Sequence, residues 1–136
     1  MSRVDDCHVI ALPRITARQG NITPVEAGRD IPFPIARVYY LYDVPGGESR
    51  GGHAHKELQQ LMVCVMGAFD VILDDGTARR TVRLDRAYHG LIIRPMIWRE
   101  LENFSSGGIC LVLASHTYSE NDYIRDYADF LKAVSD

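Results

Sequence analysis

Apolar residues along this chain recur mainly with a period of two, in short runs separated by turn-forming residues. Residues 69–74 show the pattern best, with Phe69, Val71 and Leu73 on one side and Asp70, Ile72 and Asp74 on the other. That is the period of a strand with one buried face. Similar runs predict strands at 8–12, 22–27, 36–44, 59–66, 68–74, 79–84, 91–94, 98–104 and 109–115. Pro45-Gly46-Gly47, Gly67, Asp75-Gly76 and the stretch 105–108 separate them. Asp75-Gly76 is the strongest hairpin signal, because Asp-Gly tolerates the positive φ of a tight turn. Only the C-terminus has helical spacing, through Tyr123, Ile124, Tyr127, Phe130, Leu131 and Val134. Ser119 or Asn121 is the expected cap there, and Arg125, Asp126, Asp129 and Lys132 are expected to face outward. Its apolar stripe is read as packing rather than as a cofactor site. Many short strands and one terminal helix predict an all-β fold, a small jelly-roll β-barrel with a C-terminal α-helix.

A length of 136 residues predicts a single domain over 1–136. Such a chain buries roughly two-thirds of its unfolded surface, enough for a core without metal or disulfide staples. Fifteen Lys and Arg against 18 Asp and Glu give a net charge of −3. No global basic field invites nucleic acid, so an anionic ligand needs a local arginine cluster. Cys7, Cys64 and Cys110 form no CxxC pair, and the last two sit in apolar runs as buried thiols would. The N-terminus does not read as a signal peptide, and no apolar run approaches the roughly 18 residues of a membrane span. These readings predict a cytoplasmic protein with no membrane partner.

Candidate chemistry concentrates around His53-Ala54-His55. On a strand these two imidazoles project from one face. Gly47, five residues, His53-x-His55, four residues, Gln60, six residues and Gly67 reproduce the spacing of the first cupin motif. In metal-binding cupins the position of Gln60 carries a glutamate ligand. A second motif would supply a further ligand about five residues after Pro95, where Glu100 stands. One reading is therefore a metal-dependent cupin, such as a small dioxygenase, with His53, His55 and Glu100 as its triad. The favoured reading is that no metal is held and the histidines are free for acid/base work. Two histidines on an exposed strand are the bland alternative, which the flanking glycine spacing disfavours.

Several longer stretches resemble one family. Residues 31–40 (IPFPIARVYY), 50–56 (RGGHAHK), 71–76 (VILDDG), 95–98 and 122–125 (DYIR) resemble the sugar 3,4-ketoisomerases, over nearly the whole chain. That resemblance implies a cupin acting on dTDP-4-keto-6-deoxy-D-glucose without metal or other cofactor. It also implies a homodimer with exchanged N-terminal strands. The product would be a 3-keto-6-deoxyhexose for the 3-amino sugars of bacterial surface glycans. By resemblance His53 is the principal base, His55 its assistant and Tyr39 the hydroxyl near it. Antiparallel pairing of the Tyr39 strand with the histidine strand is the expected way of bringing them together. Tyr40 and Tyr42, of opposite phase, are assigned to packing. Arg37, Arg50 and Arg99 are the expected anion contacts, with Arg94 as a further candidate. Arg79, Arg80, Arg83 and Arg86 read as solvated surface. Trp98 and Gln19 stand at family substrate positions. Arg99 resembles the branch that gives a gluco product, whereas Gln19 matches neither the Arg nor the Tyr expected there. A non-catalytic sugar-nucleotide-binding cupin is the third reading, against which the presence of both His53 and Tyr39 stands.

Overall fold

Residues 2–135 are described by the structure, a computed structural model. Its strands are β1 (His8–Ala11), β2 (Ile15–Ala17), β3 (Gly20–Ile22), β4 (Arg37–Leu41), β5 (Arg50–His55) and β6 (Gln60–Met66). They continue as β7 (Phe69–Asp74), β8 (Arg79–Leu84), β9 (His89–Ile93), β10 (Trp98–Glu102), β11 (Ile109–Ala114) and β12 (Tyr123–Ile124). One helix, α1 (Tyr127–Ser135), follows. Two five-stranded sheets form, in the orders β1-β9-β6-β11-β4 and β12-β5-β10-β7-β8. Every pairing in them is antiparallel. The jelly roll is therefore an open sandwich, since hydrogen bonding does not close the sheets into one barrel.

Period-two patterning explains the layers. The inward residues of both sheets, among them Phe69, Val71, Leu73, Leu91, Ile93, Leu101 and Val112, merge into one buried cluster. Truncating a fully buried phenylalanine such as Phe69 would cost roughly 3–5 kcal/mol. The outer face of the first sheet is covered by the segment carrying Val25, Ile31, Phe33 and Ile35. The outer face of the second is covered by α1, whose Phe130 packs with Ala54, Trp98 and Ile124. The hairpin predicted at Asp75-Gly76 forms, with Asp74 paired to Arg79 across a four-residue loop. Gly76 has φ +92, and a Cβ there would meet Val134 Cγ2 at 2.5 Å, so turn geometry and helix packing both demand glycine.

Three expectations are corrected. The run 22–27 is not a strand; instead β2 and β3 make a small detached hairpin over residues 15–22, exposed at every strand position. The helix starts at Tyr127 and is capped by Asp126, whose carboxylate accepts from the Asp129 amide at 3.0 Å. Ser119 lies upstream in extended backbone and Asn121 in a 3-10 turn, so neither caps it. Tyr40 and Tyr42 are about 60% exposed on the outer face and pack in no core.

Candidate active site

A β-bulge aims the central residues. Arg99 of β10 faces His53 of β5, yet Leu101, two residues on, faces Arg50, three residues back. The extra residue falls at Gly51-Gly52, and Gly51 takes it up at φ +89. In a regular strand Arg50 and His53 would point to opposite faces; with the bulge both line one cavity of about 230 Å³ between the sheets. Tyr39, Arg37 and Gln60 line it from the opposing sheet, and Arg99, Tyr123 and Arg125 from the same side as His53. Tyr123 pairs in register with His55, which stacks three rings together. His53 lies 5.1 Å and His55 4.4 Å from the Tyr123 ring, and the two imidazoles are 4.9 Å apart, edge to face.

Hydrogen bonding fixes the polarity of these groups. Asp122 accepts from His55 Nδ1 at 3.0 Å with one oxygen and from the Glu57 amide at 2.8 Å with the other. The donor on the His55 ring is thus Nδ1, and Nε2 carries the lone pair. Arg99, 1% exposed, donates through Nε to the Ile97 carbonyl at 3.2 Å and through Nη1 to Gln60 Oε1. Gln60 Nε2 in turn donates to the Tyr39 hydroxyl at 3.0 Å. Among the described residues, three buried side-chain atoms lack a partner: His53 Nε2, His55 Nε2 and Arg99 Nη2. All belong to this one cluster, and buried polar groups are rarely left so without a functional reason.

Burial, reinforced by the Arg99 guanidinium, keeps both imidazoles neutral. His53 is pushed down to about 2, chiefly by desolvation, then by Arg99, His55 and Arg125. His55 is pushed down to about 3 by desolvation, then by Arg99, Arg37 and Arg125. Burial lowers Arg99 to about 10, which leaves it cationic at neutral pH. No carboxylate forms a salt bridge with it among the described residues. A buried cation without an ion partner is costly, so its environment calls for an anion arriving from the cavity. Burial raises Tyr39, while Arg99 and the hydrogen bond from Gln60 act in the opposite direction.

The profile described as WxcM-like, C-terminal (FdtA) matches residues 5–135. The chain belongs to that family. It is 44% identical to the TDP-4-oxo-6-deoxy-alpha-D-glucose-3,4-oxoisomerase of Aneurinibacillus thermoaerophilus, over 93% of this chain and 91% of the relative. QdtA, a sugar 3,4-ketoisomerase from Thermoanaerobacterium thermosaccharolyticum solved with TDP, superposes with a TM-score of 0.95 at 36% identity, covering 98% of this chain and 97% of QdtA. WlaRB, the TDP-quinovose 3,4-ketoisomerase of Campylobacter jejuni, gives 0.89 at 40% identity, over 93% of this chain and 98% of its own. The chain is an isomerase of this 3,4-ketoisomerase kind, on a jelly-roll fold.

Within this WxcM-like site, most but not all expected residues come together. His53, Tyr39, Arg37, Arg50 and Arg99 line the cavity. His55 sits behind His53, fully buried, and does not reach the cavity wall. Tyr39 arrives by a route other than strand pairing: β4 pairs with β11, so Tyr39 faces the histidines across the sandwich. Trp98 is corrected. It alternates with Arg99 and therefore points to the outer face, 5.2 Å from the Tyr127 ring and 5.8 Å from Phe130. Glu100 shares that outer phase and accepts from Trp98 Nε1 at 3.0 Å, so the structure does not build the His53, His55 and Glu100 triad. Gln19 stands exposed in the turn between β2 and β3, outside the cavity of its own chain. Arg94 turns away to donate to Gln59 Oε1. Arg83 pairs with Asp70 on a solvated face as expected, whereas half-exposed Arg79 reaches the buried Asp74 and Arg80 donates to the Val4 and Cys7 carbonyls.

Four contributors escape sequence reasoning: Gln60 as a linker, Asp122 as the His55 partner, and Tyr123 with Arg125 as cavity walls. Arg125 lies 4.0 Å over the Tyr123 ring and is held by both Glu120 oxygens, at 2.6 and 2.9 Å. The signal is present in the chain, since Tyr123 and Arg125 are two apart, as strand neighbours on one face are. A stripe that also fits 3.6-residue spacing hides it.

Proposed function

We propose that this isomerase converts dTDP-4-keto-6-deoxy-D-glucose into dTDP-3-keto-6-deoxy-D-glucose by proton transfer alone. The observation that carries the reading is the unpaired, buried Arg99 Nη2 beside the unpaired Nε2 of His53, with the Tyr39 hydroxyl across the cavity. Moving the carbonyl from C4 to C3 needs a base at C3, a donor for the oxyanion at O4 and a proton at C4. His53 Nε2 takes the C3 proton, the electrons form the C3–C4 double bond, and O4 becomes an oxyanion facing Arg99. The O3 proton shifts to O4. C4 then accepts a proton as the C3–O⁻ electrons fall back to a carbonyl. The base and acid afterwards exchange their excess proton through solvent. His55, locked by Asp122 as an Nδ1 donor, holds His53 edge to face and keeps it from rotating. Arg37 and Arg50 supply charge for the diphosphate, to which Arg125 adds.

Stereochemistry favours the gluco product. H3 of the substrate and H4 of a gluco product lie on opposite faces of the ring, so one base cannot serve both carbons. Tyr39 approaches from the sheet opposite His53 and is suited to deliver the C4 proton. The similarity to a relative named for TDP-quinovose supports the same outcome, quinovose being 6-deoxyglucose. Metal independence is supported by Gln60, whose amide oxygen is already engaged by Arg99, and by the outward turn of Glu100. Incubation with dTDP-4-keto-6-deoxy-D-glucose, followed by proton NMR, tests the proposal. A 3-keto product with a large H4–H5 coupling is expected; a small coupling, from an equatorial H4, would refute the gluco assignment.

We further propose a homodimer with exchanged N-terminal strands. The detached β2–β3 hairpin exposes Ile15 at 55% and Ile22 at 64%, and the outer face of edge strand β4 exposes Val38 at 54%. Apolar surface and a free strand edge of this kind suit a partner strand. Exchange would also carry Gln19 to the partner's cavity, giving a role to a residue that its own chain leaves outside. The cytoplasm is the proposed compartment, consistent with three buried free thiols. No helix among the described residues is long and apolar enough to cross a membrane. The 3-keto group produced is the handle an aminotransferase needs to make a 3-amino sugar.

A further inference from the structure

The structure assigns Gln60 as the positioning residue that fixes Tyr39 as a proton donor toward the cavity, through the relay Arg99–Gln60–Tyr39. This rests on the proposal that Tyr39 delivers the C4 proton. Gln60 is 1% exposed and joins the two sheets across the sandwich interior. Its orientation is not free. A guanidinium carries only donors, so the Gln60 atom facing Arg99 Nη1 must be the carbonyl oxygen. The amide nitrogen then has to face Tyr39, and it does, at 3.0 Å. Tyr39 oxygen thereby accepts a hydrogen bond from behind, and its own proton has no acceptor among the described residues. That proton is left for the cavity.

Polarity is thus handed from Arg99 to Tyr39, and the amide serves both halves of the step. Before transfer, Gln60 Nε2–H occupies the hydroxyl's lone pair, so the phenolic hydrogen cannot turn back into the protein. During transfer, the O–H bond breaks, the proton passes to C4, and the electron pair stays on the phenolate oxygen. The same N–H then donates to that phenolate, and Arg99 polarises the amide from its far end. A carboxylate at this position would reverse the relay. It would accept from Arg99 on one oxygen and from the Tyr39 O–H on the other, drawing the reactive proton away from the sugar. The neutral side chain at this motif position therefore has a positive task in addition to being a poor metal ligand.

Gln60→Glu, Tyr39→Phe and the double variant test this, assayed with a chelator so that no ion gathers at the histidines. Gln60→Glu keeps the buried Arg99 contact and should fold; it is expected to lower kcat about a hundredfold with KM within about threefold. Tyr39→Phe should lose at least as much. The decisive reading is the double variant, which should match Tyr39→Phe within about threefold, because Gln60 acts through a hydroxyl that is no longer there. An equal cost of Gln60→Glu in both backgrounds, or a kcat change below about threefold in the first, overturns the assignment. Gln60→Met, with neither bond, reads the same coupling should Gln60→Glu not fold. Full activity in Tyr39→Phe would instead overturn the role of Tyr39 itself, and this relay with it.

Discussion

Acidification should destabilise the ligand-free protein well above the pH at which carboxylates titrate. In the unfolded chain His53 and His55 take up protons near their ordinary pKa of about 6.5. In the folded chain they resist until about 2 and about 3. Between those limits the unfolded state binds more protons, so stability rises with pH and is lost as pH falls below 6.5. Moving from about pH 7.5 to about pH 5 places each unfolded histidine about 1.5 pH units below its pKa, worth up to about 2 kcal/mol apiece. The Asp122 carboxylate on His55 Nδ1 favours the protonated ring, so about 4 kcal/mol is the ceiling for the pair. That is a large share of a typical total of about 5–15 kcal/mol. Asp74 does not blur the window. Burial alone would raise its carboxyl, but hydrogen bonds from Tyr127, Gly76 and Arg79 hold it below the usual range, so its own loss comes at lower pH. Urea unfolding at stepped pH, followed by far-UV circular dichroism, measures the fall. The double variant His53→Asn/His55→Asn should lose most of this slope while keeping the strand signal. A decrease under about 1 kcal/mol in the parent, or an undiminished one in the double variant, would defeat the reasoning.

Two further outcomes follow from the site. His53→Asn should lower kcat about a hundredfold to ten-thousandfold, with TDP affinity by calorimetry little changed; near-normal turnover in folded protein would move the base elsewhere. Arg50→Ala should raise KM about tenfold or more and leave kcat within about threefold, since a diphosphate contact binds ground and transition states alike. Steady-state kinetics separates the two, and a kcat-only defect would place Arg50 at the reacting carbons instead.

Much of this molecule is legible from patterning. The alternation at 69–74 recurs as an inward Phe69, Val71 and Leu73, and the Asp75-Gly76 turn stands where the chain signals it. Strands that pair through several residues with one wet face leave a long record of period two. Short elements leave none. Three residues of β2 or two of β12 are too few to distinguish periods, and β12 merges into the helical stripe that continues from Tyr127. Site phase fails for a related reason. Trp98 and Arg99 are sequence neighbours, so a motif delivers both, yet the pleat sends one to the helix and the other to the cavity. Nothing in the sequence alone says which sheet faces which, and so Tyr39 is expected beside the histidine strand although it confronts it. The Gly51-Gly52 bulge is legible only as two glycines. Its effect, turning Arg50 and His53 to one side, needs the register of β10.

The two-residue strand β12 ties the pocket to the C-terminal helix. Its Tyr123 closes the catalytic wall while the adjacent Ile124 lies under Phe130 of the helix, so one short dipeptide is shared by chemistry and by C-terminal docking. β12 extends the edge of the histidine strand while α1 covers its outer face, so a substitution that loosens Phe130 should reach the pocket through Ile124 and Tyr123.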